Sequence, residues 1–402
     1  MSEWRELPIG ELMAEFHDGP HATPKPSADG PAFLGIKNLT NAGNLDLSAV
    51  RHIAPEDFAR WTKRVTPQQD DIVFTYEATL HRYALIPHGF RGCLGRRLAL
   101  IRPNLDRADP RYLHQALRSP GWRSTVEERV IAGATVDRIP LIDFPSFPIC
   151  VPGVETQRRI AAVLSAFDEL ILINERRVEL LEYLARSLYR EWFVRRCLPG
   201  AEDAGWASTL LFDVADVGFG FSFKSPAFGP EGVHAVVRIR DVPRGTTATF
   251  TNEAAPERYA VRDGDVLIGM DGNFHLNRWS GGDAWLNQRV TRLRPRAELA
   301  ALHLLLAVES PIAQLNQTIT GTTVAHLGKR HLEQISVPLP ESGRISQATA
   351  AFEAIGDAIV VLRKQVRACA RTRDLLLPRL VTGRLDISDI DLDDLLSTEL
   401  AG

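Results

Sequence analysis

Residues 155–193 read ETQRRIAAVLSAFDELILINERRVELLEYLARSLYREWF, and the apolar residues of this stretch fall on one stripe of a helix. Ile160, Phe167, Leu181 and Leu188 recur at multiples of seven with Asn174 in the remaining place, and Val163/Leu164, Leu170/Ile171 and Leu184/Ala185 fill the intermediate positions. The spacing predicts a coiled-coil seam on a helix about 58 Å long, at a rise of about 1.5 Å per residue. A rod of that length does not fit inside one compact domain, so it must project or separate two bodies. Asn174 on such a seam either fixes the register at a cost in stability or faces the rim.

The chain contains the stretch twice. RRIAAVLSAFDELI at 158–171 resembles GRISQATAAFEAIG at 343–356, which places Ile345, Phe352, Ile359 and Val366 where Ile160, Phe167, Asn174 and Leu181 stand. Ahead of each helix the same order of segments recurs: DDIVF at 70–74 and GDVLI at 264–268, LGRRLALIRP at 94–103 and LNQRVTRLRP at 286–295, VIAGATVDRI at 130–139 and TITGTTVAHL at 318–327. FPICVP before Gly153 and ISVPLP before Glu341 complete the series. Asp265 follows Asp71 by 194 residues and Arg289 follows Arg97 by 192, a slow drift that keeps the order and changes only loop lengths.

Each copy is therefore a globular part of about 150 residues followed by a long helix. Short strands alternate with Gly/Pro-rich turns at 17–31 and 218–230 and with short helices at 110–117 and 299–308, which predicts an α+β fold. The expected organisation is a first globular domain at 1–154, a first spacer helix at 155–198, a second globular domain at 199–341, a second spacer helix at 342–383 and an acidic tail at 384–402. Pro199-Gly200 is expected to end the first long helix and Pro378 to break the second. Two apolar seams in one chain can satisfy each other, so the long helices are expected to form an intramolecular antiparallel coiled coil, a spacer with two heads.

Composition sets wider bounds. With 402 residues, 45% hydrophobic and 24% charged, the chain reads as an ordinary globular protein with two or three cores. Lys+Arg at 47 against Asp+Glu at 50 gives a net charge of −3, so any nucleic-acid contact must come from a local basic face. Cys93, Cys150, Cys197 and Cys369 are far apart, as expected of a reduced, cytoplasmic protein, and no segment reads as a signal peptide or membrane span. No metal site is expected. Gly321–Arg330 fails as a phosphate loop, because six residues separate its glycines and Arg330 stands where a Ser/Thr hydroxyl is needed. GFGF at 218–221 is too short for a dinucleotide site, no GxSxG or HExxH appears, and no Asn-Pro-Pro-aromatic segment could hold a flipped base. His114 and His303 lie in apolar helical patterns and read as structural.

Taken together, VPGVETQRRIAAVLSAFDELI with LYREWF, the ending RTRDLLLPRLVTGRLDI and the paired DIVF/DVLI strands resemble the specificity subunit of type I restriction-modification systems. The resemblance covers essentially the whole chain. It implies two target-recognition domains alternating with two coiled-coil spacers in a non-catalytic subunit that binds double-stranded DNA and reads an asymmetric, bipartite target. It further implies partners: methyltransferase subunits, two in number, and an ATP-driven restriction/translocase subunit. S-adenosylmethionine, ATP and Mg would reside in those partners, with no cofactor bound by this chain.

Phosphate contacts call for Lys or Arg, and base edges for Arg, Lys, Asn or Gln. In the first head the candidates are Lys25, Lys37, Asn38, Tyr76, His81, Arg82, Arg96 and Arg97. In the second they are Lys224, Arg238, Arg240, Asn273, His275, Asn277, Arg278, Gln288 and Arg289. The two sets occupy comparable places, although any single surface arginine also reads as a solvated charge. The loops at 75–92 and 269–285 are unlike, as expected of heads that read different half-targets, and Arg278 is a candidate either for a base edge, where its loss relaxes the choice at one base pair, or for a phosphate, where its loss weakens binding uniformly. The alternative from a different class is a coiled-coil protein-protein adaptor without DNA binding.

Overall fold

The computed structural model describes residues 4–132, 136–201, 205–296, 298–319, 325–341 and 345–385. The acidic tail from 386 onward, residues 321–324 of the rejected phosphate loop, and parts of the repeated segments at 130–139, 318–327 and 343–356 lie outside these residues. The chain forms two compact units. One comprises Met1–Glu169 together with Cys369–Gly402, the other Leu170–Ala368, so both spacer helices contribute to both units.

In the first unit a four-stranded antiparallel sheet runs in the order Met13–Asp18, Leu98–Pro103, Ile72–Thr75, Tyr83–Leu85. Side chains on a strand alternate between faces. Ile72, Phe74, Ala99 and Ile101 accordingly enter a core with Tyr112, Trp122, Phe144 and Phe147, while Val73, Leu98 and Leu100 enter a second with Leu34, Leu39 and Ile86. The IVFT strand is buried on both faces, which explains its unbroken apolar run. A smaller sheet pairs Ser27–Leu34 in parallel with Gly92–Leu94 and antiparallel with Arg51–His52. Arg5–Pro8 pairs with Pro148–Val151 where the chain enters the first long helix.

The second unit repeats this plan. Its four-stranded sheet runs Ala215–Phe219, Val290–Pro295, Val266–Gly269, Leu276–Arg278, and His234–Val237 lies parallel to Ala284–Leu286. Trp206–Leu210 pairs with Ser336–Pro340. The α+β repeat expected from sequence is thus present in both units.

The helices differ between copies. The first unit has Pro110–Leu117 and Pro120–Glu127, the second of these started by Ser119, whose hydroxyl accepts from the Trp122 amide at 3.2 Å. In the second unit a single helix, Ala301–Thr318, runs straight through Pro311, so the expected end at 308 is too early. A proline inside a helix costs about 3 kcal/mol. Leu302, Leu304, Leu306, Val308 and Ile312 on this helix are buried, and at about 1.5–3 kcal/mol per side chain their burial outweighs that cost.

The first long helix spans Val154–Tyr189 and closes in a π-helical turn at Arg190–Val194. The second spans Ser346–Leu380, and the expected break at Pro378 is not observed. Pro378 stands in the last turn, where its missing N–H forfeits one bond before the helix ends anyway. The two helices run antiparallel. In the second unit Asn174 donates to Gln365 Oε1 at 3.4 Å and Arg363 pairs with Glu182 at 2.7 Å; in the first, Arg373 pairs with Asp168 at 2.6 Å. Of the seam residues, Ile160, Asn174, Ile345, Phe352 and Ile359 are buried, and Phe167, Leu181, Leu188 and Val366 are half-buried. Asn174 therefore sits inside the seam, with a polar partner.

Candidate nucleic-acid interface

Each unit presents two turns beside its parallel strand pair. After Ser27–Leu34 the chain makes a 3-10 turn at Ile36–Asn38, closed by the Asn38 side chain, whose Oδ1 accepts from the Gly35 amide at 2.9 Å. After His234–Val237 it makes the corresponding turn at Ile239–Asp241, closed by Asp241 Oδ2 accepting from the Arg238 amide at 2.9 Å. Lys37 and Arg240 occupy the same place on these turns and both are exposed.

The second turn joins the parallel strand to the long central one. It contains Gly95-Arg96-Arg97 in the first unit and Asn287-Gln288-Arg289 in the second. Arg97 and Arg289 both adopt the left-handed conformation, at φ of 68° and 71°. Their carbonyls accept from the amides of Tyr76 at 3.1 Å and Met270 at 2.8 Å. Arg97 also pairs with Glu77 at 2.9 Å and Arg289 with Asp271 at 3.6 Å. A tight turn is thus held from both sides in each copy.

In the first unit these turns line one groove of about 510 Å³ with Lys37, Arg51, Arg96 and Arg97 on its walls beside Thr23 and Asn38, and no carboxylate among the lining residues. With Arg97 paired to Glu77, Lys37, Arg51 and Arg96 remain as three cations without an acidic partner among the described residues, a local positive surface on a chain of net charge −3. Arg51 was not anticipated from sequence. It is carried on a two-residue strand opposite Phe33, and a pairing that short leaves no periodic signal. Lys25 is exposed ahead of the groove. In the second unit Lys224, Arg240, Asn273, His275, Gln288 and Arg289 are exposed, and the half-buried Arg238 lays its guanidinium 5.3 Å from the Phe228 ring centre.

Several expected contact residues are spent inside the fold. Arg278 is buried: Nη2 donates to Asp357 and Nε to the Gly264 carbonyl, both at 3.0 Å, so these two donors are engaged within the fold. Asn277 donates to the Pro243 carbonyl and accepts from the Arg278 amide and from Arg363. Asn38 is buried, its second amide atom donating to the Asp46 carbonyl, so it shapes the turn that carries Lys37. Tyr76 is buried, which raises its hydroxyl pKa. Arg82 donates to the carbonyls of Ile36 and Leu39, tying the loop after the IVFT strand to the Lys37 turn. His81, at φ 64°, is half-buried with its pKa lowered by that burial, 3.7 Å from Glu127.

His114 and His303 are both fully buried, which pushes each pKa down to about 3, and neither lies at the groove. Among the described residues no group of His, Cys, Asp and Glu could hold a metal ion, and no helix is long and apolar enough to cross a membrane.

Comparison with known proteins bears on this arrangement. Residues 204–355 match a family model described as the type I restriction modification DNA specificity domain. The EcoBI specificity subunit of Escherichia coli is 32% identical over 193 residues, an alignment covering 46% of this chain and 40% of that relative. The MjaVIII specificity subunit of Methanocaldococcus jannaschii is 22% identical over 355 residues, 82% of each chain. The crystal structure of the type I restriction-modification system S subunit from M. genitalium superimposes with a TM-score of 0.65 at 16% identity, over 94% of this chain and 96% of that one, which establishes a shared fold.

Proposed function

We propose that the chain is a type I restriction-modification specificity subunit and that each globular unit reads one half of a split double-stranded DNA target. The observation that carries this reading is the duplicated pair of turns: Lys37 and Arg240 on one, Arg97 and Arg289 on the other, in matching backbone conformations within each unit. Because the flanking residues differ, the two half-targets differ. The chain contributes recognition. Catalysis, with S-adenosylmethionine, ATP and Mg, belongs to partner subunits acting with it in the cytoplasm.

The spacer offers a surface for such partners. Leu172, Ile173, Leu180, Tyr183 and Leu184 on the first long helix are exposed, an apolar face left over after the antiparallel seam is filled. We assign it to the two methyltransferase subunits, with the restriction/translocase subunit joining the assembled complex. This face is also what a protein-protein adaptor would need, but an adaptor has no use for a groove in which Lys37, Arg51 and Arg96 converge with no carboxylate among the lining residues.

Methylome sequencing of cells with and without the gene tests the proposal. A split-target adenine mark that disappears with the gene supports it. An unchanged methylome, with no salt-dependent binding of the purified complex to mixed-sequence duplex, overturns it.

A further inference from the structure

The second turn has the same backbone arrangement in both units and differs at one exposed side chain. Arg97 and Arg289 share a left-handed backbone, a carbonyl bonded to the amide that follows the IVFT or VLIG strand, and an acidic partner two residues after that strand. A Cβ on Gly95 would lie 2.2 Å from the Leu34 carbonyl oxygen, and a Cβ on Gly220 would lie 1.9 Å from that of Asn287, so in each unit the turn is pressed against a neighbouring backbone segment. Between the close-packed residue and the left-handed arginine stands one exposed residue. It is Arg96 in the first unit and Gln288 in the second.

Their side chains are left available. Arg96 forms no hydrogen bond or ion pair with any described residue and lines the cationic groove. The Gln288 amide is steered by Ser222, whose hydroxyl donates to Oε1 at 3.0 Å, which leaves Nε2 as a donor and one lone pair of Oε1 as an acceptor. Its own backbone amide donates to the Phe221 carbonyl at 2.7 Å, so the residue is carried on a fixed point of the fold.

These features have a chemical reading. Residues common to both heads serve what is common to both, the scaffold and the phosphate backbone, whereas a side chain that differs at one equivalent point serves what differs, the base. A guanidinium offers two donors in a fork that fits guanine O6 and N7. A primary amide offers one acceptor and one donor, which fits adenine N6 and N7. We propose that Arg96 and Gln288 are the equivalent base-reading residues of the two heads, Arg96 selecting guanine and Gln288 selecting adenine, with Arg97 and Arg289 as positioning residues that hold the turn. The assignment rests on the DNA-reading function proposed above and goes beyond it in naming two residues and two bases.

The experiment selects DNA from a randomised duplex library with the full chain in its methyltransferase complex, using wild type, Arg96→Gln, Gln288→Arg and the doubly exchanged variant. The expected result for Arg96→Gln is that one position in one half changes from guanine to adenine, or loses its preference by about ten-fold, with every other position intact. Gln288→Arg produces the converse change in the other half, and the double variant shows both. Unchanged preference at every position in either single variant overturns the proposal. So does a uniform loss of affinity without change in preference, which would make the residue a phosphate contact. If wild type selects no sequence at all, the DNA-reading function itself falls and takes the assignment with it, a result distinct from wild type selecting a split target that the substitutions leave untouched.

Discussion

Asp71 and Arg102 meet as a two-pronged ion pair, Nε to Oδ1 and Nη2 to Oδ2 both at 2.9 Å, and Asp265 with Arg294 repeats the fork at 2.7 and 2.8 Å. Each aspartate is buried and its Oδ2 also accepts a backbone amide, from Gln68 or Arg262, at 2.8 Å. The pair joins the turn before the central strand to the strand beside it, and its recurrence in both units marks it as part of the repeated scaffold. Replacing one partner leaves a buried group uncompensated. Asp71→Asn and Asp265→Asn should each destabilise their own unit by about 2–3 kcal/mol. Hydrogen exchange resolved by segment checks this: loss of protection confined to the substituted unit is expected, and equal loss in both would contradict it.

Arg363 on the second long helix donates to Asn277 Oδ1 at 3.0 Å and to the Arg278 carbonyl at 3.2 Å while pairing with Glu182, and Arg367 reaches the Ser280 carbonyl and hydroxyl. These contacts, with Arg278 to Asp357, fasten the strand at 276–278 to the helix. Arg278→Ala is therefore expected to lower the Tm of the second unit without altering base preference. A relaxed choice at one base pair in library selection would show that Arg278 reaches DNA after all.

His303 is buried against Phe193, Tyr189 and Phe352 at ring distances of 4.1, 5.6 and 5.7 Å, and neither ring nitrogen has a hydrogen-bond partner. Burial holds its pKa, and that of His114, at about 3, below the ordinary 6.5 of an unfolded histidine. The unfolded chain then binds more protons than the folded one, so stability is full above about pH 6.5 and falls between about 6.5 and 3, by about 1 kcal/mol per pH unit for each histidine. His303→Phe, which removes two unsatisfied polar atoms, should make this slope shallower. Tm measured across that range decides; an unchanged slope would place the acid sensitivity elsewhere.

Asn174, buried among the apolar seam residues, meets the exposed Gln365. Asn174→Leu should raise the melting temperature of the spacer, by about 1 kcal/mol of stability, while leaving the register less strictly defined. Calorimetry reads the first effect and cross-linking between cysteines placed on the two helices reads the second. A drop in stability would show that the polar pair is favourable on balance.

The exposed cations of the first unit's groove should behave as phosphate contacts. Lys37→Ala and Arg51→Ala are each expected to weaken DNA binding uniformly across sequences and to reduce the slope of log affinity against log salt by about one. A salt titration of the assembled complex checks this, and an unchanged slope would remove that residue from the interface.

Much of this architecture was legible in the linear order of residues, because periodicity and repetition are local properties. The heptad spacing from Ile160 to Leu188 and from Ile345 to Val366 specifies two seams, and the matching DIVF and DVLI strands specify a duplicated α+β body, whatever the rest of the chain does. The site was less legible. Whether a cation stays in water or is consumed depends on partners distant in sequence: Arg278 meets Asp357 79 residues away and Arg82 meets the Ile36 carbonyl 46 away, while Arg96 meets none. A one-dimensional reading sees the same letter in all three cases. Tertiary structure alone withdrew Arg278, Asn38 and Tyr76 from the surface, engaged the half-buried Asn277 in hydrogen bonds and brought Arg51 beside Lys37, because packing, not composition, determines which polar groups remain unsatisfied and free to bind.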